Sequence, residues 1–417
     1  MKERVLKIKL FFYNLTDNKE PDYTLFFIAS FLVSISIVFS YSLPMYRVFH
    51  LDYGQFHFLI RQFIVGVFSI SLMWVFSQIK PEKLLPFVGW FVFAIFGLAI
   101  LAMKFLPPSL VIESGGATRW IRLPFISLSP VEFFKIGFVY YLAHSFHRRI
   151  YFTTNMSFFD EIKLLSPYGF IFLILAYFIA IVQKDLGQTV VIGTIIFMML
   201  IFANRSWKIF LSIIVVAFSG IAALVMIFPH RIDRIKSWWG MVQDSILPHL
   251  PIGLADRLKL ESYTEAYQVG HAINAIHNGG LTGEGIANGY IKLGFLSDVH
   301  TDFVLAGITE EIGFFGLSIV VLLFSFLIIR IFRVSRMLKN NEKDTEYHLF
   351  TVGIAIMLGT AFMINGFGTS GIIPIKGLAV PFLSYGGSSL LASSIAVGLI
   401  LSISRNNSNY KKSRYEK

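Results

Sequence analysis

The chain has 417 residues, 55% hydrophobic and only 15% charged, with a mean hydropathy of +0.67. A soluble protein would carry roughly 25% charged residues, so a water-soluble globular enzyme is excluded. The net charge is +11 and cysteine is absent, which removes disulfide frameworks and thiolate metal sites.

Ten apolar runs approach the length of a bilayer span: 24–44, 57–77, 84–104, 131–147, 165–183, 188–203, 208–229, 303–329, 347–370 and 387–403. They predict an all-α polytopic membrane protein with about ten transmembrane helices. The reading is one integral membrane domain over 1–417, with no separate soluble domain. The first run follows a polar leader, is long enough to span and lacks a small-residue cleavage site, so it is a span and not a secretory signal.

The basic residues explain the charge as topology. Placing the N-terminus in the cytoplasm gathers Lys2, Arg4, Lys7, Lys9 and Lys19 with Lys80, Lys83, Arg148, Arg149, Lys163, Arg205 and Lys208 on one side. Arg330, Arg333, Arg336, Lys339, Lys343 and the basic C-terminal tail join them, which is most of the 36 basic residues. By the positive-inside rule both termini are expected in the cytoplasm, and no nucleic-acid partner is implied.

Three segments interrupt the rhythm of spans, and this topology puts all three outside. They are Phe105–Pro130, a large loop over about 230–302 and the Gly- and Pro-rich Gly371–Ser389. Irregular backbone at membrane depth is tolerated only where protein buries it or it lines a polar cavity, so one shared outward cavity is expected.

Taken in order, GGATRWIRLP offers glycines for close backbone approach and places Arg119 and Arg122 around Trp120. Arginine forks suit phosphate oxygens, while Trp with Arg also suits an interfacial belt; spacing does not separate the two. In SLSPVEFFKIG, Pro130 suits a first helical turn, and Glu132 and Lys135 fall on one face at i and i+3. They read either as a packing pair or as a charged wall with Lys135 open to an anion. Asp185 in QKDLGQ reads as a cap or an ion-pair partner.

His300, Thr301 and Asp302 stand directly before an apolar helix that itself carries Glu310 and Glu311, and ionisable groups at a membrane edge usually mark a working site. In PFLSYGGSS, Ser384, Tyr385, Gly386 and Ser388 form a Gly-rich turn before a span, a weak signal for an anion-binding nest.

Together, GATRWI with SPVEFFK, KDLGQ, the Tyr267-Gln268 pair followed by AI..GG..G.G, HTDF…EE.G..G and PIKGLAVPFLSYGGSS resemble the SEDS family in order and spacing. SEDS denotes bacterial shape, elongation, division and sporulation proteins, and the resemblance covers nearly the whole chain. It implies a peptidoglycan glycosyltransferase of the bacterial cytoplasmic membrane that joins lipid II units into glycan strands on its outer face. It also implies a class B penicillin-binding protein as transpeptidase partner, with other division proteins nearby. GIIPIKGLAVPF, with Lys376 and the preceding Asn365, resembles the division-type branch acting at the septum more than the elongation type.

The resemblance implies an essential carboxylate shortly before Tyr267-Gln268. Here the stretch reads ADRLKLESYTEAYQ, and gapless register puts Glu261 at that place, ahead of Asp256. Ser129 and Ser297-Asp298 also depart from the usual pattern. The implied chemistry, attack of a sugar hydroxyl on an anomeric carbon bearing a lipid diphosphate, needs a base or a cation-holding carboxylate and positive groups at the leaving diphosphate. Glu261, Glu132 and Lys135 are the catalytic candidates. Arg119, Trp120, Asp185, Gln268, Lys292, His300, Thr301, Asp302, Lys376, Ser384, Tyr385, Gly386 and Ser388 are the substrate-binding ones. A divalent cation, Mg or Mn, is an optional companion, and no metal ligands are assigned. The rivals are a lipid flippase or transporter, disfavoured by the absence of an inverted repeat, and a non-catalytic division scaffold.

Overall fold

The structure, a computed structural model, describes residues 20–50, 53–114, 117–123, 127–151, 153, 156–203, 205–227, 229–260, 267–296, 298–338, 342–374 and 377–405. Each of the ten apolar runs is mainly helical. In chain order the helices are α1 (Tyr23–Ser42), a short α2 (Met45–His50), α3 (His57–Gln78), α4 (Pro81–Ala102), α5 (Pro130–Arg149), α6 (Phe158–Ala176), α7 (Leu186–Phe202) and α8 (Trp207–Ile227). Then come α9 (Pro229–Ile246), α10 (Ile252–Leu258), α11 (Tyr267–Gly279), α12 (Val304–Arg336), α13 (Glu342–Thr369) and α14 (Gly387–Arg405). Among the described residues seven helices are long and apolar enough to cross a membrane. Of the other three runs, α5 is as long but carries Glu132, Lys135, Arg148 and Arg149. Leu186–Phe202 and Trp207–Gly220 are shorter apolar stretches.

The centre of the bundle is α14, 83% buried over its apolar window, with α13 beside it and α5 packed against both. Its sequence GSSLLASSIAVGLILSISR is rich in small residues, which let backbones approach where lipid supplies no hydrophobic drive between helices. The same logic joins α4 to α5: a Cβ at Gly89 would strike the Tyr140 ring, and one at Gly137 would strike the Phe93 backbone. The flanking helices turn Phe27, Phe31, Phe63, Ile64, Phe87, Val216 and Phe218 outward, a surface only lipid or another span can cover.

Two expectations are refined. The segment before Pro130 is not irregular throughout but an antiparallel sheet of β1 (Val111–Ser114), β2 (Ala117–Arg122) and β3 (Ser127–Leu128). The eighth span is not one straight helix, because α12 breaks at Gly313, which sits at φ 68°. The loop after α11 inserts there: Glu284 and Gly285 amides donate to the Glu310 and Glu311 carbonyls at 3.0 and 2.9 Å, and the Phe314 amide donates to Gly280 at 2.9 Å. Backbone groups freed by the break are satisfied by protein, as they must be in lipid. Glycines at 279, 283 and 313 fit because added side chains would strike opposing backbone.

Side-chain staples hold α9 and α10 of the large loop in place. Trp238 donates to the Gly371 carbonyl at 2.7 Å, Trp239 to Leu258 at 2.6 Å, and Gln243 both donates to and accepts from the Leu260 backbone.

Candidate functional site

At one end of the bundle, four elements bring charge to a single place. Pro130 opens α5 at its first position with Ser129 as the preceding cap residue, and this aims the first turn of α5 at β2 and α7. Lys135 Nζ lies 3.0 Å from Glu132 Oε2, with the lysine side chain 4% and the glutamate 15% exposed. Glu132 Oε1 also accepts from Gln188 Nε2 at 2.5 Å. Gln188 stands in the first turn of α7, whose cap is Asp185: its carboxylate accepts from the Gln188 amide at 3.2 Å. A π-turn over Tyr177–Val182 delivers Asp185 to this point.

Arg119, on β2, lies 3.0 Å from the second Asp185 oxygen, so Asp185 is both cap and ion-pair partner. Burial pushes the Asp185 carboxyl up from its ordinary range, and Arg119 opposes that shift. Arg119 Nη1 also donates to the Gly377 carbonyl at 3.1 Å. Alongside lies Asp302, whose carboxylate makes no hydrogen bond or ion pair among the described residues. Burial raises it to about 6, with Arg119 pulling it down and Asp298 and Asp185 adding to the rise.

Two further loops wall this cluster. Tyr385 donates its amide to the His300 carbonyl at 2.8 Å, and Ser384 Oγ donates to Thr301 at 2.6 Å while accepting from Val380. Asn365 Nδ2 donates to both the Asp302 and Leu378 carbonyls, at 2.7 and 2.6 Å. Ser388 accepts from the Ser129 amide and donates to Ser127, tying α14 to the sheet. The His300 ring is 2% exposed and wedged edge-on between Phe58 and tilted Tyr385. Burial lowers its pKa to about 3, so it is neutral.

The structure therefore gathers Arg119, Glu132, Lys135, Asp185, His300, Thr301, Asp302, Ser384, Tyr385 and Ser388, with Gly386 at the foot of α14. Trp120 sits half-buried on β2 opposite Ile112, without a polar contact to the cluster. Gln268 is exposed on the first turn of α11 and Asp256 is exposed on α10. Glu261, Lys376 and Ser297 lie outside the described residues.

Lys292 requires a correction. It was expected to face a ligand, but it is fully buried and its ammonium is bound to Glu311, whose other oxygen accepts from Ser42 at 2.8 Å. A buried lysine keeps its charge only against such a partner, so none is left to offer an anion. Next to it Glu310 accepts from the Ile291 amide at 2.9 Å and from Asn278 at 3.2 Å.

Residues that sequence reading passed over also build the site. Gln188 was signalled by its place three residues after a cap. Arg47, 2.6 Å from Asp298, and Gly377 had no local signal, since their partners are far away in sequence. Among the described residues no group of three or more His, Asp or Glu side chains is arranged to hold a metal ion.

The arrangement offers positive groups beside carboxylates in a partly buried cluster, suited to a substrate with negative charge and hydroxyl groups. Comparison with known proteins agrees with the fold. The profile of the cell cycle protein family that unites FtsW, RodA and SpoVE matches residues 22–409. The probable peptidoglycan glycosyltransferase FtsW of Helicobacter pylori strain J99 is 46% identical over 385 residues, covering 92% of this chain and 98% of that one. Its counterpart in Trichlorobacter lovleyi is 32% identical over 389 residues, covering 92% and 93%. A solved chain from work on how a peptidoglycan synthase complex coordinates polymerization and crosslinking superposes with a TM-score of 0.68 at 21% identity, covering 93% and 98%. The Thermus thermophilus rod shape determining protein RodA superposes at 0.61 with 20% identity, covering 93% and 98%.

Proposed function

Since the chain belongs to the cell cycle protein family of FtsW, RodA and SpoVE, we propose that it is a peptidoglycan glycosyltransferase that polymerises lipid II at the outer face of the cytoplasmic membrane. The observation that carries the reading is Arg119 and Lys135, each 3.0 Å from a carboxylate, next to the Asp302 carboxylate, which is unbonded among the described residues. In the transfer, an acceptor sugar hydroxyl attacks the donor's anomeric carbon. The new C–O bond forms as the bond to the diphosphate oxygen breaks, with inversion, and the hydroxyl proton passes to a carboxylate.

Arg119 and Lys135, joined by Lys376, neutralise charge growing on the departing diphosphate, and the partial burial of these groups strengthens that interaction. Asp302, Thr301, Tyr385, Ser384 and Gln268 hold sugar hydroxyls and amides. Glu261 is the general base, from its register with Tyr267-Gln268. The likeness to the FtsW proteins supports the division-type branch, with action at the septum, cytoplasmic termini and a penicillin-binding transpeptidase as partner.

The test is purified protein given labelled lipid II. Glycan polymer is expected; translocation without polymer would replace the reading by a flippase, and neither by a scaffold. Glu261→Gln should lower polymerisation by about 10²–10⁴, the range for a lost general base. Normal polymer from Glu261→Gln with a dead Asp256→Asn would move the base to Asp256.

A further inference from the structure

We propose that Gly377 is a positioning residue: its missing side chain lets Arg119 bind the 377 carbonyl while the Asp302 carboxylate lies alongside, unpaired with Arg119, so that substrate meets Arg119 and Asp302 as two separate contacts. The inference rests on the glycosyltransferase reading.

The space at this glycine is defined by the two groups it separates. A Cβ built there would lie 2.7 Å from Asp302 Oδ2 and 3.0 Å from Arg119 Nη1. Contacts this short force a shift, because they fall inside the van der Waals separation of about 3.5 Å for carbon. The main chain cannot supply that shift. Asn365 Nδ2 bonds the carbonyls of Asp302 and of Leu378 together, and Ser384 Oγ ties the same loop to the Thr301 carbonyl. Residue 377 is thus held at a fixed distance from residue 302, and only the tips of Asp302 and Arg119 can move. Gly377 does not use the left-handed backbone region that disfavours side chains, so alanine is acceptable to the main chain and its cost falls on those two tips.

The separation has an electrical consequence. Asp302 is faced by Arg119 from β2, by Asp185 from the start of α7, and by Asp298 and Arg47, with Lys376 outside the described residues. Of these, Arg119 is the largest influence that keeps the carboxyl ionised, against burial that raises it to about 6. A methyl between the two moves them apart, weakens that influence and disfavours the charged form.

The experiment is a double-mutant cycle on lipid II polymerisation from pH 5 to 8, with wild type, Gly377→Ala, Asp302→Asn and the double variant. The expected cost of Gly377→Ala is about 10-fold at pH 7, less than the roughly 10² that a 1 Å misplacement can cause. Its acid limb should move to higher pH than the wild-type limb, and it should cost nothing further in the Asp302→Asn background. Wild-type rates and pH profile in Gly377→Ala, or an equal cost in both backgrounds, would overturn the proposal.

A second readout needs no turnover. The infrared carboxyl band identified by its loss in Asp302→Asn should titrate with a higher midpoint in Gly377→Ala; an unmoved midpoint overturns the inference. If the band moves while wild type makes no polymer, the glycosyltransferase reading fails instead. If Gly377→Ala does not fold, the same band is read in Asn365→Ala, which unties the loop from Asp302, and an unmoved midpoint there is equally decisive against it.

Discussion

Two ionic clusters of similar composition lie in this molecule, and they differ in what they leave over. In the buried one, Lys292 and Glu311 are fully enclosed, Ser42 completes the carboxylate, and Glu310 is tied to a main-chain amide and Asn278. In the candidate site, Lys135 and Glu132, and Arg119 and Asp185, are also paired, yet Asp302 beside them has no such partner among the described residues. The first cluster clamps the broken helix α12 to α1 and to the loop after α11. The second keeps a carboxylate with no mate among the described residues, which costs stability and is retained where it serves a ligand. The surplus carboxylate, more than the number of charges, separates a working site from a structural clamp.

The sharpest way to break this comparison is to remove one half of the buried pair. Lys292→Met leaves Glu311 uncompensated and should destabilise the protein by about 3–5 kcal/mol. Adding Glu311→Leu should recover much of that loss, because an apolar pair can replace a buried ionic one. Thermal unfolding in detergent measures both. A stable Lys292→Met protein that has lost only polymerisation would place Lys292 in the site after all.

The sequence resolves these clusters unequally, for physical reasons. All ten helices were legible because apolar run length is a local property set by bilayer thickness. Glu132 with Lys135 and the capping role of Asp185 were legible too, since their partners lie within one helical turn. Lys292 was misread because its partner Glu311 is 19 residues on, and nothing in IKLGF signals that the ammonium turns inward. The break at Gly313 was missed because a glycine in an apolar run is usually tolerated in a membrane helix; only the inserted GGLTGEG loop makes it a kink. Gly377 carries no chemistry of its own and acquires a role only from the side chains on either side.

The second prediction sharpens the contrast through pH. Asp302 titrates at about 6 in the folded chain against an ordinary 3.8. A raised carboxyl pKa means the folded state holds its proton more tightly. The stability this gives is fully present below about pH 4 and lost as pH rises through 6. Wild type at pH 7.5 therefore bears the cost of an ionised, half-buried carboxylate. Asp302→Asn should be more stable there by about 1–3 kcal/mol, while polymerising more slowly, and the difference should shrink as pH falls and vanish near 4. An Asn variant less stable than wild type at pH 7.5 would make Asp302 a structural group and erase the distinction between the clusters.

The smallest expected effect tests whether charge must be inside the cluster to matter. Arg119 and Arg122 share β2 and flank the same stretch of GGATRWIRLP, so sequence spacing treated them alike. An odd separation along a strand sends side chains to opposite faces. Arg119 turns in toward Asp185 and Gly377, whereas Arg122 is exposed and stands opposite Ser127 across the sheet. Arg122→Ala should then change stability by no more than about 0.5 kcal/mol, the usual range for a surface substitution, and leave lipid II polymerisation within about twofold. Arg119→Lys, which keeps the charge but loses the planar fork that reaches Asp185 and the Gly377 carbonyl together, should lower it clearly. If instead Arg122→Ala slows polymerisation as much as Arg119→Lys, the strand's positive charge acts as a diffuse field on the anionic lipid, and the enclosed geometry around Gly377 is not what selects the substrate.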